Sequence, residues 1–235
     1  KVFCQYKSTK ENFTEINNLK RKSKFNEIYK NNLWGIESDN TLSGSGSTIE
    51  VNKYRVQFLE KFINDYWITH LYDICGDATW QSTIKNLNKI YYFGFDISKI
   101  ALNKAKKINQ NNKLLNFSDK PIDLCKDKFI VSIPSTSMIL IKEVIQHLPL
   151  NDGLQMLRNI KNSGIKYIAI TNHDIKLFDI TENKNIEPGE FYPNNMFLPP
   201  FNFVNPICDI NDNLDPKNQK EYGNLTIFNI QEQNF

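Results

Sequence analysis

Hydrophobic and polar positions along this chain follow two periodicities. From Leu71 onward, short β-prone apolar runs recur: Leu71–Cys75, Tyr91–Phe95, Lys113–Phe117, Met138–Lys142, Lys166–Thr171 and Asn224–Ile230. Between them lie helical patterns at Trp80–Leu87, Ile97–Ile108 and Asn151–Asn162. Strands alternating with helices through short connections predict an α/β protein whose sheet is mostly parallel and covered on both faces.

Before Leu71 the pattern is helical. Phe25, Ile28 and Tyr29 share one face, and Asn31–Gly35 ends that segment. Thr48, followed three residues later by Val51 and then by Tyr54, Phe58, Leu59, Phe62, Ile63 and Tyr66, marks the start of a second amphipathic helix. The loop before it, Ser43-Gly44-Ser45-Gly46-Ser47, reads equally as a linker or as a cradle for an anionic group at a helix start. The chain thus divides into a helical cap with its Ser/Gly loop, 1–66, and a core, 67–235. Within the core, 174–215 breaks the rhythm: it is rich in Pro, Asn and aromatic residues, as expected of a lid on the substrate side.

The richest candidate chemistry lies at Leu71–Trp80, LYDICGDATW. A strand runs into a glycine turn at Gly76 flanked by Asp73 and Asp77, and about twenty residues later a second strand ends in Asp96. A carboxylate there suits the diol of a ribose, so the arrangement predicts a nucleoside-containing cofactor. A dinucleotide would want GxGxxG. Here one glycine stands, Asp77 would repel a pyrophosphate, and Trp80 is bulky. S-adenosylmethionine carries no phosphate but bears a cationic amine and a sulfonium, which suit an acidic turn.

Composition narrows the partners. Hydrophobic residues at 40% over 235 positions support a sizeable core, and a net charge of +3 is too small to favour nucleic acid. The basic run Lys20–Lys24 reads as a solvated helical face. Cys4, Cys75, Cys125 and Cys208 form no CxxC pair, so no zinc site is expected, and reduced thiols with a cytoplasmic setting follow. No apolar run is long enough to span a bilayer, and the start at Lys1 suggests a domain from a longer polypeptide.

DICGDATW resembles motif I of class I S-adenosylmethionine-dependent methyltransferases, in the CGDxxW variety associated with glycan biosynthesis. Phe25–Tyr29, Trp34-Gly35 and Ser43–Ser47 resemble that family's N-terminal segment. Ile141–Pro149 resembles its fourth-strand motif, Tyr167–Asn172 its fifth strand, and Leu198–Phe203 a late aromatic-proline segment. Such domains are similar to those fused to glycosyltransferases, including the C-terminal methyltransferase domains of multidomain enzymes of chlorella viruses. The resemblance implies a Rossmann-like fold with a seven-stranded, mostly parallel sheet, helices on both faces and a C-terminal antiparallel strand. It also implies S-adenosylmethionine as cofactor, S-adenosylhomocysteine as product, and host cytoplasm if the source is viral.

The candidate cofactor residues are Asp73, Cys75, Gly76, Asp77, Trp80, Asp96, Ile97, Asp119 and Ser45. Asp96 is either the ribose acceptor or the N-cap of the helix after it. Asp119 competes with Asn116 and Ser118 for the adenine amino group, and Trp80 is either a pocket wall or core. For catalysis, His147 follows the fourth strand, where an imidazole could take a hydroxyl proton; a turn-capping role is the alternative. Glu143 is its rival or partner. His147, Glu143, His173 and Asp174 match no trusted metal-ligand spacing, so no metal is expected. For the acceptor, His173, Tyr192, Asn195, Phe201 and Asn202 offer the stacking faces and amides that suit a carbohydrate, or else fill a second hydrophobic cluster. The expected activity is methyl transfer to a sugar hydroxyl. Small-molecule or nucleic-acid methylation, or a non-catalytic docking module, are the alternatives. Lys142-Glu143-Val144-Ile145 stands where a nucleic-acid enzyme would carry (N/D)PP(Y/F).

Overall fold

The structure, a computed structural model, describes residues 2–37, 39–127, 133–210 and 223–235, without the side chains of 2–14 and 210. Cys4 and the end of the expected lid, 211–215, therefore fall outside the described side chains and residues. The elements are helices α1 (Val2–Asn31), α2 (Ile49–Asp65), α3 (Lys99–Ile108) and α4 (Leu150–Asn162), and strands β1 (His70–Ile74), β2 (Tyr91–Phe95), β3 (Leu115–Phe117), β4 (Ser137–Ile141), β5 (Tyr167–Asn172), β6 (Cys208–Ile210) and β7 (Asn224–Asn229).

The strands form one seven-stranded sheet in the order β3-β2-β1-β4-β5-β7-β6. Strands β1 to β5 are parallel, with Tyr72 opposite Phe93 on one side and Ile139 on the other; β7 runs antiparallel between β5 and β6. Period-two alternation assigns the faces. Ile139, Ile141, Ile168 and Ile170 join Leu157 and Ile160 of α4 and Ile28 of α1 on one face. Met138, Leu140 and Ala169 join Leu59 and Phe62 of α2 on the other. Both faces are thus covered, and strand order reverses beside β1, the position where open α/β sheets leave a crevice at their carboxyl edge.

Three expectations need correction. Trp80–Leu87 is not one helix but two short 3-10 turns, Gln81–Thr83 and Lys85–Lys89, because Ile84 is extended between them. The Gln81 side chain is drawn to Asp73 and the Lys85 N–H donates to Glu60, diverting groups that a helix would align. Cys208–Ile210, read as part of an irregular excursion, is an edge strand, with Cys208 opposite Ile227. The basic run is not wholly solvated: the Arg21 side chain is 1% exposed and pairs with Asp123 at 2.6 Å and Asp152 at 2.5 Å.

That pairing docks α1 onto the loop after β3 and onto α4. Removing one partner of a buried ion pair leaves charge without compensation. Arg21→Ala should lower unfolding stability by about 3 kcal/mol, read from urea denaturation.

Candidate active site

The turn after β1 is fixed by its neighbours. The Cys75 N–H donates to the Phe95 carbonyl at 3.0 Å, extending the β1–β2 ladder. Gly76 then adopts φ +54°, and a Cβ there would lie 2.6 Å from Ser43 Oγ and 2.8 Å from the Tyr29 hydroxyl. Only glycine admits both that conformation and that approach. Asp96, at the end of β2, accepts from the N–H of Gly76 at 3.2 Å and of Ser98 at 2.7 Å. The helix N-cap is Ser98, whose Oγ accepts from Ala101 N–H, so Asp96 braces the turn rather than capping the helix.

Asp73, fully buried, accepts from the Tyr92 hydroxyl at 2.7 Å and from Gln81 Nε2 at 2.9 Å. Burial pushes Asp73 up to about 6 and Asp96 up to about 7, against hydrogen bonds that pull both down. Beside them Gln81 Oε1 is a buried acceptor without a partner. Asp73, Gly76, Gln81 and Asp96, with Cys75, Trp80 and Ile97, line one cleft.

Asp77 does not line that cleft. Its carboxylate accepts from Thr41 Oγ1 at 2.9 Å, Ser43 Oγ at 3.0 Å, Thr79 Oγ1 at 3.0 Å and the Leu42 N–H at 2.7 Å, and pairs with Lys104 at 3.1 Å. Its bonds to Thr41, Leu42 and Ser43 clamp the start of the Ser/Gly loop to the turn, and Thr79 and Lys104 take its remaining lone pairs. In that loop Ser43 and Ser47, not Ser45, reach the cleft. Asp119 points to water, its side chain 97% exposed and paired with Lys106 at 2.8 Å. Asn116 and Ser118 bond to nearby backbone carbonyls instead. The wall beyond β3 is built from Ile122, Asp123, Leu124 and Cys125.

Lys142, Glu143 and His147, after β4, line the same cleft. Glu143 sits at φ +55°, strained for a residue with a side chain. Its N–H donates to Thr171 Oγ1 at 2.7 Å, and its carboxylate accepts from Gln146 Nε2. Burial alone would raise its proton affinity, but the surrounding cations, Lys142 first, hold it below the usual range. His147 Nδ1 lies 2.8 Å from the Glu190 carbonyl, which can only accept, so Nδ1 carries the proton and Nε2 of the neutral ring is the basic atom. Burial lowers the proton affinity of His147. Its ring lies against Trp34, with centroids 4.9 Å apart.

The expected acceptor residues are not brought to this cleft. Phe201 is wholly buried in the core. Asn195 spends its amide on His173 O and Phe197 N–H, and Asn202 is an exposed turn residue at φ +50°. Tyr192 lies under Lys184, whose Nζ is 5.2 Å from the ring centroid. His173 is buried, with Nδ1 against Asn194 and Nε2 unpartnered. Among the described residues no group of three or more His, Cys, Asp or Glu side chains is placed to hold a metal ion, and no helix is long and apolar enough to cross a membrane. Composition and spacing missed Arg21, Trp34, Gln81, Lys142 and Met156, which do line the cleft.

No protein-family model matches the sequence, and no curated protein matches it. Solved structures do match the fold. Magnesium protoporphyrin IX methyltransferase (ChlM) from Synechocystis PCC 6803, with bound SAM, superposes at a TM-score of 0.59 and 12% identity, covering 90% of this chain and 95% of that one. A putative methyltransferase from Thermobifida fusca YX gives a TM-score of 0.50 at 14% identity, over 76% and 79% of the two chains. The fold is that of a class I methyltransferase.

Two outcomes test this account of the methyltransferase fold's first turn. Asp77→Ala should destabilise the protein by about 3 kcal/mol in urea unfolding, whereas Asp119→Ala should change it by less than about 0.5 kcal/mol. The raised carboxylates also set a pH dependence. Their proton affinity is higher in the folded state, so their contribution is fully present below the ordinary carboxylate range and is lost as pH rises through about 6 and 7. Asp96→Asn should flatten that decline, read from unfolding midpoints between pH 4 and pH 8.

Proposed function

We propose that the protein is an S-adenosylmethionine-dependent O-methyltransferase acting on a hydroxyl of a carbohydrate, either a glycan or a nucleotide-sugar. The residues present fit the methyl donor on a direct observation: Gln81 Oε1 is an orphaned, buried acceptor lining the cleft beside two carboxylates of raised proton affinity. A cationic amine would satisfy the first and favour ionisation of the others. Asp73 and Gln81 would hold the amino group and Asp96 the ribose hydroxyls. When bound, the cofactor supplies an electrophilic methyl group whose bonding pair returns to sulfur, leaving S-adenosylhomocysteine.

The observation that carries O-methylation is His147 in the lining of the same cleft, with Nδ1 donating to a carbonyl and Nε2 as the base. Nε2 takes the proton of the acceptor hydroxyl as its oxygen bonds to the methyl carbon. A base held in one tautomer and one orientation contributes about 10²–10⁴-fold to such a transfer. Glu143, ionised and anchored by Gln146 and Thr171, can orient acceptor hydroxyls beside it. The carbohydrate acceptor, and fusion to or partnership with glycosyltransferase domains, rest on the sequence resemblance. The cleft itself contributes aromatic faces at Trp34 and Tyr29.

Calorimetry with S-adenosylmethionine and S-adenosylhomocysteine should give saturable binding that tightens from pH 5.5 to pH 8 as the carboxylates ionise. Asp96→Ala should weaken it at least about tenfold, an interaction of roughly 1.4 kcal/mol or more. His147→Ala should lower kcat about 10²-fold or more with cofactor affinity unchanged, measured by mass spectrometry over a panel of deoxy-sugar glycans. Absence of cofactor binding would overturn the reading.

A further inference from the structure

Trp34 stands just beyond the C-terminus of α1, far in sequence from every other group at the catalytic end of the cleft. It is held there from several directions. Phe25 and Tyr29 meet its ring edge-on, at centroid distances of 6.1 and 5.7 Å, and its backbone carbonyl and Cβ lie within 4 Å of where a Cβ on Gly44 would stand. Its indole lies over the His147 imidazole at 4.9 Å with the planes tilted by 37°. Phe191 meets the same imidazole at 5.6 Å, and the Glu190 carbonyl fixes Nδ1. Three of these contacts converge on one ring.

We propose that Trp34 is a positioning residue for the His147 base: its indole aims the imidazole at the acceptor and stabilises the imidazolium formed when the hydroxyl proton arrives. This inference rests on the O-methyltransferase reading for its consequence, but not for its physics. A cation over an aromatic face gains most on Trp, and more where water is excluded. During transfer the O–H bond breaks, its proton passes to Nε2, and positive charge develops on the ring that Trp34 covers. The other titratable groups facing His147 are Glu143, on its own segment and favouring the cation, and His173, beyond β5 and opposing it. Glu190 meets it through its backbone carbonyl, its own carboxylate being bonded to the Glu187 N–H. Lys142 also lines this end of the cleft, bonded through Nζ to the Gly46 carbonyl. The N-terminal segment thereby supplies part of the catalytic centre.

Trp34→Leu keeps an apolar neighbour but removes the π face. The protein has three histidines, so His147 can be followed by proton NMR of its ring, assigned with His147→Asn, in protein without methyl donor. Trp34→Leu should lower the His147 proton affinity about three- to tenfold. The acidic limb of the kcat/KM profile should move the same way, and kcat should fall with KM changed less than about twofold. Trp34→Phe should give a smaller shift in the same direction with kcat largely restored, and it carries the test if the leucine variant does not fold. An unmoved His147 titration in either variant, or equal loss of kcat in both with no pH shift, overturns the proposal. A shifted titration in a protein that transfers no methyl group keeps the Trp34–His147 coupling and rejects the O-methyltransferase reading instead.

Discussion

The Asp77 carboxylate is the constraint on which the remaining geometry depends. Buried carboxylates persist where their lone pairs are met by donors, and Asp77 is met by two threonine hydroxyls, a serine hydroxyl, a backbone N–H and Lys104. Because Ser43 gives its proton to Asp77, the Tyr29 hydroxyl 3.0 Å away must donate to Ser43. One acid therefore orders a chain of contacts from the motif turn through the Ser/Gly loop to α1. Gly76 follows from it: that closure leaves no volume for a side chain. So does the course of the chain at Trp34, which packs where the loop at Gly44 meets the end of α1.

Charge then divides the acids of the cleft into two kinds. Asp73 and Asp96 pay a desolvation penalty that their hydrogen bonds only partly offset, so both hold their protons to higher pH than an ordinary carboxyl, Asp96 to about 7. Glu143 has the same burial problem and the opposite outcome, because Lys142, His173, Arg55 and His147 surround it. A cation is thus favoured beside Asp73 and Asp96, whose raised proton affinities Lys142 only partly counters at Asp73, while a fixed anion and a neutral imidazole stand after β4. Proton acceptance by His147 lowers the net negative charge of its own surroundings, which the adjacent Glu143 favours electrostatically.

How much of this was legible in the sequence follows from which interactions are local. The strands and α3 and α4 obey periodicities of two and 3.6, so β1, β2, β4, β5 and β7 lie within a residue or two of the expected positions. The glycine turn and Asp96 were legible because strand, turn and acid fall in fixed order. Asp77 was misread because its partners come from Thr41, Leu42 and Ser43, more than thirty residues earlier, and nothing local announces them. Asp119 was misread for the opposite reason. β3 is three residues long, and the chain leaves the sheet before Asp119 can turn inward. Arg21 hid in a run of lysines because its two acidic partners lie 102 and 131 residues away.

The aromatic excursion after β5 illustrates how composition can identify a segment and misstate its task. Its rings and amides were read as facing an acceptor, yet Met196, Phe201 and Phe203 enter the main core and the Asn183 and Asn195 amides bond to backbone. What the excursion offers the site is the Phe191 ring and, above all, its backbone. The Gly189 N–H donates to the His147 carbonyl at 2.9 Å, the Tyr192 N–H to that of Gln146 at 3.0 Å, and the Glu190 carbonyl receives Nδ1 of the imidazole. Successive backbone groups of this one stretch thus grip the turn that carries His147. A carbonyl at that point does what a carboxylate does beside other catalytic imidazoles, fixing tautomer and orientation, but without adding a charge. The imidazole then owes its proton affinity to burial, to the Glu190 carbonyl and to Glu143 and His173 around it, and the segment expected to choose the acceptor instead decides which of its nitrogens carries the proton.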